Sequence, residues 1–207
     1  MIKSVSHSYL YYRETGGIMN KKLNAKKRNK KVAITDIAIH KVSYIHYKNF
    51  TKEQNDIMYE LAKDVLLLAQ QCNNSNEVAI TCDICADKPL ESYGISYGDE
   101  HSVDVCSDTL SNHIISSSSG MTVVVLHNHP STQTFSLEDI FFFLTYATIK
   151  VIVVVSNQGT VHYLYKDTMY DYTSAFALFK ECTKHIKRNS FAKTSLYCSV
   201  VISGKMQ

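Results

Sequence analysis

Residues 121–139 read MTVVVLHNHPSTQTFSLED, and the fold turns on where the oily run leads. MTVVVL, 121–126, is a continuous branched apolar segment, the pattern of a strand buried on both faces. If the chain stays extended past Leu126, His127 and His129 share one face, because successive strand side chains alternate. Pro130 ends the strand, and HNHPSTQTF reads as the loop that follows. Ser136-Leu-Glu-Asp139 then has the S-x-x-D form of a capping box, opening a helix through FFFLTYAT. The segment is therefore a strand, a turn and a capped helix. It is also a candidate metal site.

Working outward, FTKEQNDIMYELAKDVLLLAQQC predicts a long helix over 52–72. Thr51 and Gln54 form its capping box, and Ile57, Leu61, Val65 and Leu68 lie on one face. The turn cluster NNSN, 73–76, ends it, and EVAITCDI, 77–84, reads as a strand. ESYGISYG and HSVDV are short strands or irregular pieces, and 107–115 is a helix capped by Ser107 or Asp108. KVIVVV, 150–155, is a second buried strand, and after SNQGT the segment VHYLYK returns antiparallel. A last helix covers roughly 170–187. Partial alternation in VAITDIAIHKVSYIHY, 32–47, suggests one or two further strands. The sum is an α/β domain with a mixed central sheet flanked by helices.

The chain has 207 residues, 45% of them hydrophobic, enough for one domain with a sound core. Its domain is expected over 32–190, after a basic extension at 1–31 and before a tail at 191–207. The net charge of +3 implies no partner by itself, but seven of the eleven residues from Lys21 to Lys31 are Lys or Arg. Such a run is a solvated tail or a nucleic-acid contact made through phosphate neutralisation. No window is apolar enough for a membrane span, and the first residues lack a secretory h-region. Six dispersed cysteines are not a disulfide framework, so a cytoplasmic chain with reduced thiols is expected.

Two imidazoles on one strand face can fill two positions of a tetrahedral Zn2+, and Asp139 in the first turn of the next helix can fill a third. Catalytic zinc keeps its fourth position for water and lowers that water's pKa to about 7. A separate carboxylate is then needed as general base. The spacing alone leaves two exposed loop histidines as an equal alternative.

H-x-H-P followed by S-x-x-D at a helix start resembles the signature of the JAMM/MPN-type (JAB domain) zinc metalloproteases. HNHPS in particular is similar to the RadC branch. The order of elements over roughly 50–165 resembles that family as well. The resemblance implies an MPN/JAB-like fold with cytidine deaminase-like layering. It implies zinc on His127, His129 and Asp139, with Ser136 stabilising the oxyanion. The family's general base is a glutamate on the strand after the first helix. Glu77 stands at that place, with Glu91 and Glu100 as rivals. The substrate would be a peptide or a ubiquitin-like protein. Two other roles fit the same resemblance: a DNA-associated or mobile-element module of RadC type, and a non-catalytic MPN scaffold. Nine residues lie between His129 and Asp139, one fewer than in the family, so the intervening loop is where this chain should differ.

Other motifs carry less. Cys82-Asp-Ile-Cys85 is a lone CxxC with no second pair, and a structural or incidental role is expected. A zinc deaminase needs H-x-E before P-C-x-x-C, which is not the order here. In an HNH nuclease the named residues are dispersed over a ββα unit, so the contiguous triplet is coincidental. His40, His46, His101, His113, His162 and His185 have no evident ligand partners. Phe141 to Leu144 read as core packing.

Overall fold

The structure is a computed structural model that describes residues 10–14 and 31–188. The basic run, apart from Lys31, and the tail expected at 191–207 lie outside the described residues. The elements run β1 (Leu10–Glu14), α1 (Asp36–His40), α2 (Lys52–Cys72), β2 (Val78–Asp83), β3 (Tyr93–Tyr97), α3 (Thr109–Ser117), β4 (Val123–His129), α4 (Leu137–Thr145), β5 (Ile149–Ser156), β6 (Val161–Lys166) and α5 (Tyr172–Arg188). One 3-10 turn, Val105–Ser107, precedes α3.

The six strands form one mixed sheet in the order β1-β6-β5-β4-β2-β3. Only β4 and β5 run parallel, joined by the crossover through α4. The remaining pairs are antiparallel. The mixed α/β class read from the sequence is therefore present. No helix among the described residues is long and apolar enough to cross a membrane.

Strand parity divides the core in two. Val124 and Leu126 of β4 join Val78, Ile80, Val151 and Val153 in a cluster under α2. Val123 and Val125 face the other way, with Ala79, Ile152 and Val154, and pack with residues of α3, α4 and α5. His127 and His129 continue this second parity. They therefore emerge on the α4 side, where the chain returns with Asp139.

α2 begins as read, with Thr51 and Gln54 in a complete capping box. Its buried face is centred on Met58, Leu61, Val65, Leu66 and Ala69, a slight rotation from the expected stripe. Asp108 is the cap of α3 and accepts from Ser111 N–H.

Three expectations need correction. The segment 32–47 contains no strand: Thr35 caps the one-and-a-half-turn helix α1, and the rest is irregular chain. Its alternating apolar residues Ile34, Val42, Ile45 and Tyr47 are buried without ladder pairing, so pattern alone misled. Second, the region expected as an N-terminal extension contains the edge strand β1, which pairs with β6. LYYRE is too short to show sustained periodicity, and its partner lies about 150 positions away. Third, β4 does not stop at Leu126 but runs through His129, so the two histidines belong to the sheet and not to a loop. Asn157 N–H donates to the His129 carbonyl at 3.0 Å, which holds the end of the strand.

Candidate metal centre

β4 places the histidines, and the capping box of α4 places the carboxylate. Ser136 Oγ accepts from Asp139 N–H at 3.0 Å, and the Asp139 carboxylate accepts from Ser136 N–H at 2.6 Å. This closed pair sets the Asp139 rotamer while leaving its oxygens directed at β4. His127 Nε2 lies 3.2 Å from Asp139 Oδ1, His129 Nε2 lies 3.4 Å from Oδ2, and the two Nε2 atoms are 3.1 Å apart. Ligands about 2.0–2.1 Å from a tetrahedral ion are about 3.3 Å from one another. The three separations are near that length although the histidines face different carboxylate oxygens, and one ligand atom from each residue lies within 4.8 Å of the others, so the group could hold a metal ion.

The ring tautomers fit the same use. His129 Nδ1 faces the Gln133 carbonyl at 3.3 Å, which stabilises an N–H on Nδ1 and leaves the Nε2 lone pair for a metal. His127 is 2% exposed, and its Nδ1 has no hydrogen-bond partner among the described residues. Its polar contacts therefore all lie on the Nε2 side, toward His129 and Asp139.

Charge reinforces the cluster. Burial opposes ionisation of Asp139, but the two adjacent histidines outweigh it and hold its carboxyl far below the ordinary range. Burial likewise works against a cation on His129, and Asp139 with Glu77 outweighs it, so the His129 pKa is raised.

Glu77 immediately precedes β2. Ala79 pairs with His127 in the antiparallel ladder, so two residues further Glu77 comes opposite His129 and shares its face. Glu77 is 7% exposed. Its backbone is held on both sides: its N–H donates to the Asp99 carbonyl, and its own carbonyl accepts from Gly98 N–H and Asn73 Nδ2. Burial raises its pKa, with the two histidines pulling the other way.

A cleft of about 360 Å3 opens over the group, lined by Glu77, His129, Ser136 and Asp139, with Lys31 and Glu100 among the residues around them. His127 lies beneath it. The structure thus brings together His127, His129, Asp139, Ser136 and Glu77. Glu100 reaches the wall of the cleft but is exposed, whereas Glu91 lies elsewhere and pairs with Lys88 at 2.8 Å. Lys31, the last residue of the basic run, donates to Asn76 Oδ1 at 2.6 Å.

The two cysteines of the CxxC do not converge on the site. Cys82 is buried in β2, and its thiol meets the Pro89 carbonyl at 3.4 Å, while Cys85 is exposed. The Phe141–Leu144 run is only half core: Phe143 and Leu144 are buried, and Phe141 is 48% exposed against Phe176.

Asn128 was not singled out in the sequence reading. It lies between the histidines with its side chain on the opposite face, fully buried. The only sequence signal would have been its place in step with Val124 and Leu126, within a strand extended by three residues. No family model, no curated protein and no solved structure matches the chain.

Proposed function

We propose that the protein is a zinc-dependent peptidase or isopeptidase of JAMM/MPN type, acting on a peptide or a ubiquitin-like protein. The observation that carries the reading is the convergence of His127 Nε2, His129 Nε2 and the Asp139 carboxylate, each histidine facing its own carboxylate oxygen, with buried Glu77 on the same sheet face.

His127, His129 and Asp139 would hold the ion, which supplies a water of lowered pKa and polarises the scissile carbonyl. Glu77 would act as the general base toward the attacking water and return the proton to the leaving amine. Its raised pKa suits the return step, and its backbone restraints keep the carboxylate at the mouth of the histidine pair. Ser136 Oγ already accepts from Asp139 N–H, so its hydroxyl proton is left to donate to the oxyanion. The same two residues therefore cap α4 and serve the site.

The test is metal analysis of purified protein, followed by peptide and isopeptide cleavage. About one equivalent of zinc per chain is expected, lost in His127→Ala and Asp139→Ala, because a three-ligand site does not survive removal of a ligand. Cleavage should stop with a chelator and with Glu77→Gln. Less than about a tenth of an equivalent, with His127→Ala no different, would sink the reading.

A further inference from the structure

Asn128 takes no part in the steps above, yet its side chain bridges the two strands of the site. Asn128 Oδ1 accepts from Val78 N–H at 2.7 Å, and Asn128 Nδ2 donates to the Asn76 carbonyl at 3.0 Å and to Asn157 Oδ1 at 2.8 Å. The Asn76 carbonyl and the Val78 N–H belong to the two peptide groups on either side of Glu77. One side chain thus holds both peptide groups that carry the proposed base.

The backbone of the same residue lies between the two proposed metal ligands. The orientation of the amide is forced: Val78 N–H can only donate, so an oxygen must face it, and the Asn76 carbonyl can only accept. Asparagine supplies one acceptor and two donors in a single plane, and all three are used. Aspartate lacks the donors when ionised, and serine lacks the reach.

Asn157 completes the network behind it. Its Nδ2 donates to the carbonyls of Val32 at 2.7 Å and Ser75 at 2.9 Å, and its own N–H donates to the His129 carbonyl. Asn128 and Asn157 are 0% and 1% exposed, so water does not compete for these bonds.

We propose that Asn128 is a positioning residue that sets Glu77 against the His127–His129 pair. Its side chain carries the position of β4 directly to the backbone on both sides of Glu77. The catalytic meaning of this clamp rests on the zinc peptidase reading, but its mechanical part does not.

Two measurements on the full chain separate them. In metal-free protein, Asn128→Ala should speed amide hydrogen exchange at Val78 by roughly tenfold or more, the equivalent of one lost buried hydrogen bond. The amides of Val124 and Val125 should keep their wild-type rates. In cobalt titrations, the affinity of Asn128→Ala should stay within about threefold of wild type, because its side chain touches no ligand atom. Its visible cobalt spectrum should shift as that of Glu77→Gln does, and the double variant should shift no further.

Should Asn128→Ala not fold, Asn128→Asp keeps the acceptor for Val78, and its cobalt spectrum should lie between those of wild type and Glu77→Gln. Unchanged exchange at Val78 overturns the clamp. A loss of cobalt affinity of about tenfold or more, or spectral changes that add in the double variant, assigns Asn128 a merely structural role. Wild-type protein that takes no cobalt overturns the metal reading, and the exchange result then judges the clamp alone.

Discussion

Ser136 caps α4 and is proposed to stabilise an oxyanion, and its substitutions should separate the two roles. Ser136→Ala removes the acceptor that caps α4 and should cost about 1 kcal/mol of stability, read as a lower denaturant midpoint. If its hydroxyl also stabilises an oxyanion, peptide cleavage should fall by about 10²–10³-fold, far more than a lost cap explains. Ser136→Asp restores the cap but supplies no donor when ionised, so it should recover much of the stability and little of the rate. Glu77→Gln should keep zinc and lose about 10²–10⁴-fold in turnover, the usual contribution of general acid-base catalysis. At this scale the His127-His129-Asp139 group was legible, because two local rules bring it together: strand parity aims His127 and His129, and a capping box four residues long aims Asp139. Glu77 was legible only from the order of elements. Asn128 was hidden because a buried asparagine in HNHP looks, as a sequence, like part of a turn.

Among the elements, two glycines hold neighbours close. A Cβ on Gly94 of β3 would come 2.2 Å from Ser111 Oγ and 2.4 Å from Ser111 N, so α3 could not keep its N-terminus against the strand. Gly159, in the β5–β6 turn, has φ +84°, and a Cβ there would sit 2.2 Å from the Ala38 carbonyl of α1. Gly159→Ala should therefore cost more than about 1 kcal/mol, combining left-handed strain with a backbone clash, and lower the melting temperature. The long helix and the buried strands were readable because each carries enough residues to show its period. The short elements were not. Thr35 and Asp36 turned an apparently strand-like stretch into α1, and β1 depends on a partner that local pattern cannot reveal.

Across the whole molecule, the end of the sheet away from the cleft contains an unusual cation. Lys166 is 1% exposed, donates to the Tyr146 carbonyl at 2.6 Å and lies over the rings of Phe143 and Tyr170. Burial pulls its pKa down to about 7, below the unfolded value of about 10.4. Between these values the unfolded chain binds the extra proton, so stability rises with pH across that window and is lower toward neutrality. Lys166→Met should remove this slope. Compared by denaturant unfolding from pH 7 to 8.5, wild type should gain on the variant by up to about 1.4 kcal/mol per pH unit. Parallel curves would show that the carbonyl and the two rings keep the ammonium charged throughout.

The parity of β4 also determines which changes of length this chain can absorb. Residues of one parity fill the core under α2 and carry Asn128, while residues of the other parity fill the opposite core and carry both histidines. An insertion of a single residue between Val123 and His127 would exchange the two sets, turning the histidines toward α2 and the asparagine into the cleft. By contrast, the loop 130–135 ends in a self-contained cap, so a residue gained or lost there only shifts where α4 begins. Gaps separating this chain from distant relatives should therefore fall after Pro130 and never within the strand before it.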